Sequence, residues 1–206
     1  MKDKHEKERN IMSINYYNNN AENFINDTFY LSMSELMNEF LTYVGNTGTI
    51  LDLGCGSGRD ALEFQKRGYK VFAVDGSKEM IAHTSKFLSD KAICSTFSDY
   101  ETNIKFHGIW ALASLLHVPE ADMITILRKY RDLLAEDGVF FMSFKNRKNN
   151  YEKDGRCFTC YTKEKLLSVL SEVGSLDVIK FIDTVDIREG REDEKWISAI
   201  VKASDR

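Results

Sequence analysis

The sequence predicts an α/β protein built on an open, mainly parallel sheet with helices on both faces. Three observations carry this. After residue 48, short continuously apolar segments alternate with amphipathic ones, and strands apolar at every position are those buried on both faces. A glycine-rich turn, "LDLGCGSGRD" (51–60), follows the first apolar segment. The last two apolar segments have no helical stretch between them, so they pair as an antiparallel hairpin at or near one sheet edge.

The elements follow in chain order. About 45 residues precede the first strand, carry "NYYNNNAENF" and "LSMSELMNEFLTYV", and read as a helical cap on the sheet. Ile50 to Leu53 is the first strand. Arg59 to Arg67 reads as a helix closed by Gly68, since glycine takes the left-handed conformation just past a helix end. "KVFAV" (70–74) is the second strand; Ser77 then caps a helix whose Met80, Ile81, Thr84, Phe87 and Leu88 share one face. A weaker strand near Ala92 to Phe97 precedes "HGIWAL" (107–112). Pro119, the single proline, suits the first turn of a helix, with Met123, Ile126, Leu127, Tyr130, Leu133 and Leu134 as its apolar stripe. "EDGVFFMSFK" (136–145) is a turn and a strand, and Asn146 to Cys160 reads as a long polar loop. Thr162 to Val173 is helical with Leu166, Leu167, Leu170 and Val173 inward, and strands near Leu176–Ile182 and Lys195–Val201 complete a set of seven. The whole chain, 1–206, is expected to be one domain, with 1–45 as cap and 46–206 as core.

Composition bounds the function. At 206 residues and 43% hydrophobic, the chain can bury a sizeable core. A formal net charge of −4 excludes a broad electrostatic grip on nucleic acid and leaves room only for a local basic patch. No apolar run approaches the ~18 residues of a membrane span. The first nine residues mix both charge signs with no apolar region behind them, which is no secretory signal and reads as a solvated end. Cysteines at 55, 94, 157 and 160 are too few and scattered for a disulfide framework, so a reducing cytoplasm is the default. "CFTC" (157–160) has no second ligand pair, so no metal is expected. A monomer or weak homodimer without membrane partners is the expected state.

In an open parallel sheet, ligands sit outside the carboxyl ends of the strands, and a glycine turn into a helix lets a ligand touch backbone N–H groups. Two ligands compete for Gly54, Gly56 and Gly58. A dinucleotide wants G-x-G-x-x-G, or a final Ala, directly after the strand. Counted from Gly54 the sixth position is Arg59, which fails; counted from Gly56 it is Ala61, with two residues intervening after Leu53. S-adenosylmethionine needs the same close approach without a pyrophosphate to cradle.

"ILDLGCGSGRD" resembles motif I of the class I S-adenosylmethionine-dependent methyltransferases, Asp52-x-Gly54-x-Gly56-x-Gly58. "VFAVDGSKEMI" resembles their second strand with its ribose-binding acid, "FSDYE" the acidic stretch near the adenine, and "DGVFFMSFK" the fifth-strand motif. "GIWALASLLHVPE", "MSFK" and "GRCFTCYTKEKL" are most similar to a branch related to tellurite-resistance methyltransferases. The likeness covers roughly residues 14 to 202. It implies a Rossmann-like seven-stranded sheet, mainly parallel with an antiparallel last strand, helices on both faces and an N-terminal helical cap.

The resemblance places the cofactor on Gly54, Cys55, Gly56 and Gly58, and on Asp75 with Gly76. Asp75 stands 21 positions after Gly54 and is assigned the ribose hydroxyls; capping the Ser77 helix is its other reading. Ser98 and Asp99 are assigned the adenine amino group, against a solvated loop. Met80 packs near the adenine or is plain core. Asp52 lies inside the first strand, where an unpaired carboxylate is costly, and reads as ordering the glycine loop by hydrogen bonds. Ala113 and Ser114 follow the fourth strand and border the methionine part. His117 takes a proton from the acceptor, orients it, or bonds its own turn. The basic run Arg147, Lys148, Lys153 and Arg156 suggests an anionic acceptor held by Arg156, against a solvated loop. Of Tyr16 and Tyr17, the resemblance implies that one reaches the cofactor carboxylate or the acceptor, against aromatic packing. The expected function is methyl transfer from S-adenosylmethionine to a small anionic acceptor. An RNA-base (tRNA) methyltransferase gripping through the basic loop, and a non-catalytic S-adenosylmethionine-binding protein, are the alternatives.

Overall fold

The computed structural model describes the backbone of residues 2–204 and the side chains of residues 11–204. The reading of residues 1–9 as a solvated end falls on side chains outside that description. Three helices precede the sheet: α1 (Lys2–Asn19), α2 (Ala21–Thr28) and α3 (Ser34–Val44). In α3 the buried residues Leu36, Met37 and Phe40 fall at three- and four-residue spacing, one face of a helix. That face lands on the sheet, with the Phe40 ring 5.2 Å from Trp110.

The core then alternates: β1 (Thr49–Leu53), α4 (Arg59–Lys66), β2 (Lys70–Asp75), α5 (Lys78–Leu88), β3 (Ala92–Cys94), β4 (Phe106–Ala111), α6 (Met123–Arg131), β5 (Leu134–Lys145). After a small hairpin, β6 (Tyr151–Lys153) and β7 (Arg156–Phe158), come α7 (Lys163–Val173), β8 (Leu176–Val185) and β9 (Lys195–Ala203). Seven strands form the sheet in the order β3-β2-β1-β4-β5-β9-β8, and β9 runs antiparallel to both of its neighbours, β5 and β8. The order reverses between β1 and β4, which opens a crevice at their carboxyl ends. Trp110 of β4 and Phe141 of β5 stack at 4.0 Å on one face, and Phe140, Phe144 and Tyr130 are fully buried on the other.

The expected hairpin of the last two strands has a specific placement. In β9 every residue from Ile197 to Val201 is buried, so it needs a strand on each side. Strand β8 is mostly half-exposed and takes the edge.

Four local expectations are corrected. The segment 146–160 is not an open loop: β6 and β7 pair around Asp154 and Gly155, whose φ values of +52° and +71° make the left-handed pair of a tight hairpin turn. Pro119 lies in the turn before α6, its carbonyl accepting from the Asp122 N–H at 3.0 Å. Leu134 opens β5 instead of closing the helix. Leu167 is 47% exposed, because α7 turns only Leu166, Leu170 and Val173 inward. Among the described residues no helix is long and apolar enough to cross a membrane.

Gly58 caps α4 with φ +75°, and a Cβ there would lie 2.5 Å from Thr84 Oγ1 and 2.6 Å from Phe87 Cζ. Side chains of α5 therefore exclude one at this position. Gly58→Ala adds left-handed strain and overpacking, so urea unfolding should show a loss of about 2–4 kcal/mol.

Candidate active site

A cavity of about 840 Å³ opens at the carboxyl ends of the strands and is roofed by α1 and α2 through Tyr16, Tyr17, Phe24 and Thr28. Its floor begins with the turn after β1. Gly54 and Cys55 donate their N–H groups to the Val74 carbonyl at 2.7 and 3.1 Å. The Gly56 N–H donates to Asp75 Oδ2 at 2.9 Å, and the Ser77 N–H to Asp75 Oδ1 at 2.8 Å. Each Asp75 oxygen thus keeps a further acceptor position. Burial raises the Asp75 pKa, and the Ser77 and Gly56 N–H groups pull it back.

Asp52 behaves differently from its expectation. Its carboxylate takes the backbone N–H of Ala61, not of the glycine loop, and Oδ2 is buried without a partner among the described residues. Burial first, then the neighbouring Asp60, push its pKa well up. Asp75, reaching across from β2, supplies the tie to the loop that the sequence suggested for Asp52. At the end of β4, Ala113 adopts φ +52° with its N–H on Ser143 Oγ at 2.8 Å, a strained conformation of the kind held only where surroundings fix it. Ser114 Oγ donates to the Leu53 carbonyl at 2.5 Å and sits where a Gly54 Cβ would go.

The cavity brings together Tyr16, Tyr17, Asp52, Gly54, Cys55, Gly56, Asp75, Gly76, Met80, Ala113, Ser114, His117 and Arg156. Three of the sequence-based site residues do not line it. Gly58 faces α5, as above. Asp99 Oδ2 accepts from Thr96 Oγ1 at 2.7 Å, and the Ser98 carbonyl accepts from Lys129, which knits this turn at the surface. Thr96 and Phe97 line the cavity in their stead, because β3 ends at Cys94 and the chain turns earlier than expected.

The far half is built on Tyr17, His117 and Arg156. His117 Nδ1 lies 2.8 Å from the Cys157 carbonyl and Nε2 lies 2.9 Å from the Tyr17 hydroxyl. Burial lowers the His117 pKa to about 4; the Cys157 bond works against this and the Arg156 charge adds to it. The ring is therefore neutral near pH 7, and its titration lies well below the ordinary histidine range. The Arg156 guanidinium lies 4.0 Å over the Tyr16 ring and 5.4 Å from that of Phe158. One terminal nitrogen reaches Asp154 Oδ2 at 3.3 Å, and Nε is buried with no partner among the described residues.

Sequence reasoning missed the wall beside them. Lys145 Nζ bonds Glu194 Oε2 at 3.0 Å and Asp186 Oδ2 at 3.4 Å, and lies 4.0 Å over the Trp196 ring. Arg188 grips Asp186 at 2.8 and 2.6 Å, and Arg147 bonds Glu194 at 2.8 Å. Burial alone would raise the Asp186 pKa; Arg188 and Lys145 overcome it and bring it to about 2. A lysine closing the apolar strand "VFFMSFK" was the available signal for this network.

Residues 50–138 match a family described as a methyltransferase domain. The fold is that of a methyltransferase. No curated protein matches the sequence. Among solved structures, a Burkholderia thailandensis 1,6-didemethyltoxoflavin-N1-methyltransferase with bound 1,6-didemethyltoxoflavin and S-adenosylhomocysteine is similar at TM-score 0.77 and 20% identity, covering 98% of this chain and 90% of that one. A magnesium protoporphyrin IX methyltransferase from Synechocystis with bound S-adenosylmethionine is similar at TM-score 0.69 and 12% identity, covering 95% and 97%. The [4+2]-cyclase SpnF has TM-score 0.66 and 14% identity, with coverage of 84% and 80%. At these identities the likeness is one of fold.

The depressed His117 pKa has a consequence for stability. Between about pH 4 and 6.5 the unfolded chain binds a proton at this residue that the folded chain does not, so folding stability falls as pH drops through that window. Urea titrations should show a loss of roughly 3 kcal/mol from this residue between pH 6.5 and 4, absent in His117→Asn.

Proposed function

We propose that this protein is an S-adenosylmethionine-dependent methyltransferase acting on a small anionic acceptor. One observation carries the reading: a single cavity holds the glycine turn with Asp75 at one end and the unpaired Arg156 Nε–H at the other. The residues fit the cofactor. The remaining acceptor positions of Asp75 suit a pair of ribose hydroxyls, the unpartnered Asp52 Oδ2 suits an ammonium group, and Phe97, beside the buried Met80, offers apolar surface for a purine. When bound, S-adenosylmethionine supplies a methyl group already activated on a sulfonium.

The chain's own work is then alignment and exclusion of water. The roof is fixed over the site at several points. Asn18 Oδ1 accepts from Ser77 Oγ at 2.8 Å, and Thr28 Oγ1 donates to Ser57 Oγ at 3.3 Å. Residues 1–45 act in this reading as a cap on a single catalytic domain. His117, Lys145 and Arg156, from the three motifs similar to the tellurite-resistance-type branch, all line the acceptor half, which supports that kinship. The mouth carries Glu152, Asp154 and Asp193 beside Arg147, Lys153 and Arg191. This balanced charge suits a small acceptor better than an RNA backbone.

Calorimetry should show S-adenosylmethionine and S-adenosylhomocysteine binding and NAD failing to bind; stabilisation by NAD alone would overturn the proposal. Asp75→Ala should weaken S-adenosylhomocysteine about ten- to hundredfold, the effect of roughly 1.5–3 kcal/mol per charge-assisted hydrogen bond. Incubation with labelled cofactor and mass spectrometry of the products tests the transfer itself.

A further inference from the structure

The acceptor half has a donor–acceptor polarity fixed by two hydrogen bonds. The Cys157 carbonyl can only accept, so His117 Nδ1 carries the hydrogen and Nε2 of the neutral ring is a lone pair. The Tyr17 hydroxyl, 2.9 Å from Nε2, must donate its hydrogen there. Its oxygen is left with acceptor positions only. The phenol is half-buried; the Arg156 guanidinium acts on it by charge and hydrogen bonding from one side and Asp75 by charge from the cofactor end, so it stands between the two halves with one acceptor position left for a ligand. Arg156 offers the complementary group, a buried Nε–H without a partner, on a guanidinium laid flat against Tyr16. Between them the wall is aromatic. Phe158 stacks on Tyr151 at 4.6 Å and 6°, and the His117 ring leans on Phe158 at 5.1 Å.

From this geometry we infer, resting on the methyltransferase reading, that the acceptor is a small aromatic acid whose nucleophilic atom carries a hydrogen, a hydroxyl or an N–H. Its anionic group bonds the Arg156 Nε–H, its ring lies against the wall of Tyr151 and Phe158, and its O–H or N–H donates a hydrogen bond to the Tyr17 oxygen. As the nucleophile takes the methyl group, that proton passes to Tyr17 while the Tyr17 proton passes to His117 Nε2, which releases it to solvent. His117 is a positioning residue that acts through Tyr17 by taking up the phenolic hydrogen. An acceptor atom without hydrogen, such as a thioether, a tertiary amine or a bare oxyanion, would set lone pairs against the lone pairs of Tyr17 in a buried site, which costs the desolvation of both. The methylated product of a hydroxyl has lost the same hydrogen, so the site discriminates against it and favours its release.

The test uses the protein saturated with S-adenosylhomocysteine and calorimetry with hydroxy- and aminobenzoates, their methoxy counterparts and their methyl esters. In the wild-type protein at least one hydroxy or amino acid should bind about tenfold or more tighter than its methoxy analogue, and tighter than its ester by a similar factor. Tyr17→Phe should erase the preference over the methoxy analogue and keep the preference over the ester; Arg156→Leu should do the reverse. His117→Asn retains an N–H for the Cys157 carbonyl but offers Tyr17 nothing, and should also erase the methoxy preference, a selectivity change that a merely structural role would not produce. The wild-type comparison needs no variant and decides alone. If no acid binds the loaded protein, or methoxy acids bind as well as hydroxy acids, this inference fails while the methyltransferase reading stands. If S-adenosylhomocysteine itself does not bind, both fail.

Discussion

The hydrogen bond from the Gly56 N–H to the Asp75 carboxylate ties the turn after β1 to the end of β2, and the cavity is organised around it. Gly54 and Cys55 add two bonds to the Val74 carbonyl, so the turn is held by the neighbouring strand and not by its own residues. With the turn fixed, α4 starts where Gly58 meets Thr84 and Phe87, and α5 starts where Ser77 shares Asp75. Two helices and two strands therefore meet at one half-buried carboxylate, whose desolvation is offset in part by two backbone N–H donors.

The second half of the site is assembled by α1. That helix lays Tyr16 against Arg156, joins Tyr17 to His117 and presents Ser13 to the Cys157 N–H at 3.4 Å. Tyr17, His117 and Arg156 thus come from the N-terminal helices, from the turn after β4 and from the β6–β7 hairpin. Each is held by another: the hairpin carbonyl fixes the His117 tautomer, His117 fixes the Tyr17 hydroxyl, and Tyr16 supports the guanidinium. Alongside, Lys145, Arg147 and Arg188 pair with Asp186 and Glu194 and brace β5, β9 and the segment between β8 and β9. Within this network only the Lys145–Asp186 pair is buried, where the desolvation of both charges offsets much of their attraction.

A cyclase and methyltransferases share this fold, so the sheet and the glycine turn do not by themselves fix the chemistry. Opposite the turn, this chain carries an unpaired Arg156 Nε–H, a phenol with only acceptor positions and an aromatic wall, which the proposed reading assigns to the acceptor.

The sequence alone determined the order of strands and helices, the glycine turn, the acid ending β2 and the helical cap, because each depends on apolar periodicity or on a local backbone requirement. It also carried signals that needed a different weighing: Asp154-Gly155 is a hairpin turn in a segment read as a loop, and Lys145 ends a strand whose other residues are apolar. What only the tertiary structure decided were the partners of side chains. Asp75 and not Asp52 holds the glycine loop, Thr96 and Phe97 border the cavity where Ser98 and Asp99 were expected, and β9 enters between β5 and β8. His117 meets Tyr17, 100 residues away. A hydrogen bond between such distant positions is set by how the elements pack, and no local pattern in the chain encodes it.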